Sequence, residues 1–429
     1  MALTRQPTSL WRNRDYLLLW SGQLISTTGS GISQIAFPLL ALAVTGSPAQ
    51  AGLVSALRSL SYVLFTLPAG ALLDRWDRKR FMIICDIGRA LCLVSIPLAL
   101  MLGQLTIIQI YIVAFVSGTL GVFFDIAELA CLPQVVAQEQ LPGAVGRTQA
   151  AAGVMNLVGP PLGGALFTLR SFLPFLVDAV SYAVSACSLF LIRVPFQKQR
   201  EAPVRKLGSE IGEGLRWLWN QPLLRTMALL TSGNVFCGAG FTLIVIVAAQ
   251  QYHASDATIG LIFGIGGLGG VLGALIAGRV QQRFSFAQVI VVALWLYAAF
   301  WLLLATLPSP FLLGLITALL FFIGPFYGGT HISRRLAITP DTLQSRVNSV
   351  SRLIGLGLSP LGQALTGLLL QNNGLKVTIL LSAGAQILLA LIATVTPQIR
   401  HALPLNKLTE VPQALDKISS HPGKRKETC

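Results

Sequence analysis

The stretch LPAGALLDRWDRKR, residues 67–80, is where an otherwise apolar chain turns abruptly charged. After an apolar run, Asp74, Arg75, Asp77, Arg78, Lys79 and Arg80 fall within seven positions. Only 11% of the 429 residues are charged and 54% are hydrophobic. A soluble domain carries about 25% charged residues. The cluster therefore reads as the connection between two membrane crossings, the apolar run being the end of the first.

Runs long enough for a hydrocarbon core of about 30 Å recur along the whole chain. The expected helices cover 16–42, 50–73, 81–102, 106–127, 149–169, 172–192, 224–250, 258–278, 287–306, 310–331, 350–370 and 376–396. Twelve crossings put both termini on one side. All but four of the 31 Lys and Arg residues lie at the N-terminus, in the even-to-odd connections or in the C-terminal tail. Arg58 and Arg89 lie inside spans, and Arg170 and Lys376 lie on the other side. The positive-inside rule then makes both termini cytoplasmic in a bacterial inner membrane. The same asymmetry accounts for a net charge of +15 and a pI of about 10.1 without a nucleic-acid partner. No cleavage site follows Arg5, Arg12 and Arg14, so the first apolar segment is expected to be a retained span. Six cysteines show no metal-ligand spacing and are expected to be free.

The longest connection, 193–223, divides the chain into two sets of six. The expected organisation is a six-helix bundle over 1–192, a cytoplasmic central loop over 193–223, a second bundle over 224–396 and a disordered basic tail over 397–429. Within the loop Leu207, Ile211, Leu215 and Leu218 fall at helical spacing, which suits either a surface amphipathic helix or a plain linker. Residues 52–75 match 260–283 at nine of 24 positions, including Gly52/Gly260, Gly70/Gly278 and Arg75/Arg283. Repeated six-helix halves are a transporter signature, with substrate near the midplane between them. The fold class is thus all-α membrane protein, twelve helices in two bundles related by a pseudo-two-fold axis.

GALLDRWDRK resembles the loop 2–3 signature of the major facilitator superfamily, G-x-L-x-D-R-x-G-R-K. Gly70, Leu72, Asp74, Arg75, Arg78 and Lys79 match, and Asp77 stands where a second glycine is usual. The resemblance implies a conformational gate: Asp74 would accept hydrogen bonds from a helix N-terminus of the other half, or pair with Arg78, while the cytoplasmic side is closed. The bland alternative for the basic residues is that they only set topology. GPPLGG, in span 5, resembles the antiporter motif of drug exporters in that superfamily through Gly159, Pro160, Gly163 and Gly164. The prolines should kink the helix, and the glycines should allow close packing against the opposite half. NRDYLLLWSGQLIS, LTGSPAQAGLVSA and CDIGRAL are similar to the branch containing drug and macrolide efflux pumps and enterobactin exporters.

Helix 1 carries Gln23, Thr27, Ser30 and Gln34 on one polar stripe, and helix 7 carries Thr231, Asn234, Gly238 and Thr242 on another. Together with Asn156 these are candidate cavity residues; the alternative is plain interhelical hydrogen bonding. Ionisable residues inside spans are functional candidates by default. Asp125 and Glu128 on helix 4, within reach of Arg147, and the Asp86–Arg89 pair on helix 3 are the proton-coupling candidates; rim salt bridges are the alternative. GIGGLGG in span 8 is no nucleotide fingerprint, since no strand precedes it, and no Walker sequence occurs. No catalytic cluster, cofactor or metal site is expected, so the chain is not read as an enzyme. The expected function is a monomeric secondary transporter that exports amphipathic small molecules, drug-like or siderophore-like, by proton antiport. An importer or facilitator and a lipid flippase on the same fold are the alternatives.

Overall fold

A computed structural model of the chain describes residues 10–73, 76–194, 196, 207–306, 309–340 and 343–400. Every regular element among them is helical. The first half comprises α1 (Arg14–Thr45), α2 (Pro48–Leu73), α3 (Arg78–Met101), α4 (Ile107–Val135), α5 (Leu141–Leu169) and α6 (Leu173–Leu191). The connection holds α7 (Leu207–Asn220). The second half comprises α8 (Pro222–Gly238), α9 (Phe241–Gln251), α10 (Asp256–Arg283), α11 (Phe286–Leu304), α12 (Pro310–Ile338), α13 (Gln344–Gly357) and α14 (Ser359–Val395), followed by one turn, α15 (Pro397–Arg400).

Local chemistry fixes the ends. Asn13 caps α1 by accepting from the Tyr16 amide at 3.1 Å, and Thr106 caps α4 from the Gln109 amide at 3.3 Å. Ser285 and Gln288 form a reciprocal capping box on α11. Asp77, the departure from the loop 2–3 glycine pattern, caps α3 through the Arg80 amide at 3.2 Å. Gly46 ends α1 in the left-handed region, at φ 64°.

Twelve crossings follow once two composite helices are resolved. At about 1.5 Å per residue, the 37 residues of α14 would reach well beyond a bilayer core. Gly374, at φ 74° and ψ 176°, turns the chain within it. The eleventh crossing is therefore α13 with the first part of α14, and the twelfth is the remainder. Crossing 7 is also in two pieces, α8 and α9, joined at Ala239–Gly240. The sequence reading made each of these two crossings one continuous helix. Other helices outrun their expected ends: α4 continues to Val135, α5 starts at Leu141 and α12 runs to Ile338.

In the first half α1 packs on α5 and α6, α2 on α4, and α3 on α4 and α6. In the second, α12 packs on α10 and α11, and α14 on α8 and α11. Large apolar side chains such as Leu91, Leu98, Phe190, Leu275 and Phe311 remain exposed on the outside of the bundles, as a lipid-facing surface requires. α7 presents Leu218 to the buried cluster of Leu224, Val347 and Val350, and its Glu213 accepts from Arg346 of α13 at 2.6 Å. The described part of the connection, Leu207–Asn220, is thus a docked helix. Of the tail expected to be disordered, Pro397–Arg400 is helical with Ile399 buried; 401–429 lie outside the described residues.

Two seams join the halves, α5 with α10 and α2 with α14. Both are tight at the face opposite the chain termini. A Cβ on Gly164 would come within 2.9 Å of the Gly260 backbone, and one on Gly52 within 2.8 Å of Gln363 O and Gly367 Cα. Hydrogen bonds reinforce the closure: Ala257 N–H donates to Thr168 Oγ1 at 2.8 Å, and Ser47 Oγ to Gln371 Oε1 at 2.8 Å. Toward the face bearing the termini, here called the basic face, Gly146 and Gly153 of α5 and Gly278 of α10 have nothing within 4 Å of a Cβ position. The halves pack closely at the far face and more loosely toward the basic face, where Arg352 of α13 stacks at 5.2 Å on Tyr62 of α2.

Candidate functional site

A cavity of about 330 Å³ lies where the two halves meet. From α1 it takes Thr27, Ser30, Gly31 and Gln34, from α2 Arg58, from α5 Asn156, and from the second half Gly240, Thr242 and Gln363. A second space of about 490 Å³ shares Gln34, Asn156 and Thr242 and extends along the seam past Pro160, Phe263 and Gly267. The α1 stripe reaches it because i, i+3, i+4 spacing keeps these positions on one helix face. Glycines admit the neighbours: Gly31 sits against Gly159 of α5, and Gly240 against Thr366 of α14.

A third cavity, about 410 Å³, opens in the second half among α8, α12 and α13. Thr231, Tyr327, His331, Arg335, Asn348 and Arg352 contribute its polar wall. Thr231 Oγ1 lies 3.3 Å from His331 Nδ1, and the imidazole is stacked at 4.4 Å on Tyr327. His331 is 8% exposed, and its Nε2 is buried with no hydrogen-bond partner. In sequence His331 stands at the expected end of crossing 10, and only the continuation of α12 to Ile338 brings it inside the helix. Arg58 was noted as an intramembrane charge but not placed at the cavity; a cation inside a span was the available signal.

The remaining cavity candidates divide. Gln23 lines none of the three cavities. Asn234 accepts from Gln386 of α14 at 2.7 Å, an interhelical bond. Asp86 and Arg89 form a buried pair, 0% and 5% exposed. The Arg89 guanidinium also stacks at 4.1 Å on Tyr182 and 4.5 Å on Phe124. Tyr182 OH in turn lies 2.8 Å from Ser30 Oγ, so the pair is linked to the cavity wall. Asp125 is solvent-exposed and lies in the field of Arg89 and, from the other half, Arg352. Glu128 is half-buried one turn on. Arg147 pairs with neither acid; it stacks at 4.9 Å on Trp11. The early start of α5 places Arg147 on a helical turn facing the N-terminal segment.

Of the gate signature, Asp74 and Arg75 lie outside the described residues, and Gly70 lies near the end of α2. Arg78 Nη1 donates to Ala130 O of α4 at 3.2 Å. Lys79 Nζ donates to Ile192 O at 2.6 Å, just past the end of α6. A cation there meets the negative end of the helix dipole, so both residues brace the first half. In GPPLGG, Gly159 and Gly163 pack on α1 rather than on the opposite half; Gly164 and the two prolines face α10. No cluster of His, Cys, Asp or Glu suited to a metal occurs among the described residues.

Comparison with known proteins agrees with this architecture. The multidrug efflux pump Tap of Mycolicibacterium fortuitum is 28% identical over 405 residues, covering 90% of this chain and 96% of that protein. Macrolide efflux protein A of Streptococcus pyogenes is 25% identical, covering 91% and 97%. A bacterial homologue of the iron transporter ferroportin superposes in its inward-facing state with a TM-score of 0.70, at 17% identity over 90% of this chain and 99% of the other. In its outward-facing state the score is 0.58. The family described as "Transmembrane secretion effector" (MFS_3) matches residues 6–417. The chain, a multi-pass helical membrane protein with the fold of major facilitator transporters, belongs to that family.

Proposed function

We propose that the protein is a drug-efflux transporter that carries amphipathic small molecules out of the cytoplasm across a bacterial inner membrane, as a monomer, by alternating access coupled to protons. The observation that carries this reading is a cavity with polar groups between two halves that pack tightly at one face and loosely at the other. The positive-inside rule assigns the looser, basic face to the cytoplasm, which makes this the loading state. The names of the efflux relatives supply the class of cargo.

Proton coupling is supported by the acids near the route. The Asp86–Arg89 pair contacts the cavity wall through Tyr182 and Ser30. Asp125 is exposed on α4, in the field of Arg352 from the other half, where a proton can reach it. The experiment uses inside-out vesicles bearing the full chain and made acidic inside by respiration. A fluorescent amphiphile should accumulate in them, and a protonophore should abolish the accumulation. Accumulation indifferent to the protonophore would remove proton antiport; uptake into right-side-out vesicles instead would reverse the direction.

A further inference from the structure

We infer that the cargo carries an anionic group, bound between Arg58 and the first turn of α9. The inference rests on the export reading above. Its basis is the charge along the route. Among the described residues the central cavity has one charged side chain on its wall, Arg58. The cavity of the second half has Arg335 and Arg352. Among the described residues no carboxylate lines any of these three cavities. Along these walls an anion is attracted and a cation repelled, the acid Asp125 lying outside the cavity linings.

Arg58 is built as a receptor. Its guanidinium lies 5.4 Å from the ring centroid of Phe37, which also lines the cavity. Its Nη1 is buried without a hydrogen-bond partner. A buried, unsatisfied guanidinium N–H costs free energy until an acceptor arrives, and carboxylate or phosphate oxygens fit its fork. Asp178 of α6 is the acid whose charge reaches Arg58, but it sits behind α1, against Gly29 and Ser181, and leaves Nη1 unsatisfied.

The second half supplies the complement. Ala239, Gly240, Thr242 and Leu243 line the same cavity, and they span the break that starts α9. Gly240 offers no side-chain cap, so the first turn of α9, which lines the cavity, carries the positive end of the helix dipole. Half-helix N-termini at the midplane serve substrate anions in transporters with broken helices. Here the guanidinium and the helix end come from opposite halves, so one anion bridges the parts that must rock.

The test measures uptake of three dansyl-labelled undecyl probes, the carboxylic acid, its methyl ester and the terminal amine, into inside-out vesicles carrying the full chain. The acid should be preferred. Arg58→Gln should lower the acid-to-ester preference by about 10- to 100-fold, the range for loss of a charge-assisted contact. Arg58→Lys should retain most of it, and a thermal melt of each variant checks folding. Preference for the ester or amine, or a preference unmoved by Arg58→Gln, overturns the inference and leaves the export reading standing. Failure of all three probes to accumulate in wild-type vesicles overturns both.

Discussion

Replacing Gly164 by alanine should loosen the closed seam. The new Cβ would stand 2.9 Å from the Gly260 backbone and closer still to the Asp256 carbonyl oxygen, both on α10. Carbon atoms rest at about 3.5–4.0 Å, so the two helices must part by about 1 Å. These contacts are backbone, and no flexible side chain can move aside. Overpacking of this kind costs about 1–3 kcal/mol. Since the clash exists only while the seam is shut, the cost falls on that state and shifts its population by about 5- to 150-fold. The assay is cross-linking between cysteines placed at Ser47 and Gln371, whose side chains meet at 2.8 Å across the other seam of the same face. Native cysteines are first replaced. Gly164→Ala should slow cross-linking. Gly146→Ala and Gly278→Ala should not, because nothing lies within 4 Å of either position. Cross-linking of Gly164→Ala at the wild-type rate, or equal slowing by Gly278→Ala, would refute the argument.

Other perturbations probe the first half. Asp86→Asn leaves Arg89 as a buried unpaired cation and should lower stability by about 3–5 kcal/mol, read as a large drop in melting temperature; Asp86→Leu with Arg89→Met should recover most of it. Lys79→Met removes the donor to Ile192 O and should cost about 1 kcal/mol, with Lys79→Arg intermediate in the same melt. Asp74→Asn should cut transport with expression intact; undiminished efflux would remove Asp74 from any gate.

The helices and their division into halves were legible because apolar length and Lys/Arg placement report on the bilayer, which acts on every residue alike. Half of the site was legible for the same reason: a polar stripe on α1 cannot face lipid, and Thr27, Ser30 and Gln34 do line the cavity. Partner choice was not legible. Glycines at Gly159 and Gly163 announce a close neighbour without saying which helix it is, and α1 rather than α10 takes them. Asn234 and Gln23 lie on equally polar faces but not on the cavities, since interhelical bonding and cavity lining leave the same periodicity. The breaks at Ala239–Gly240 and before Ser359 carry Gly238, Gly240 and Ser359–Pro360, but small residues and proline also occur inside continuous crossings such as α5, so they do not mark a break by themselves. That hid the α9 end now opposite Arg58.

Alternating access is tested most directly by two distances measured together by electron spin resonance on labelled full-length protein. One pair joins Gly146 of α5 to Gly278 of α10 on the basic face, and the other joins Ser47 to Gln371 on the far face. When a transported probe and an imposed proton gradient turn the protein over, the first distance should shorten in the same fraction of molecules in which the second lengthens. Two distances that stay fixed during transport, or that change in the same direction, would contradict the account.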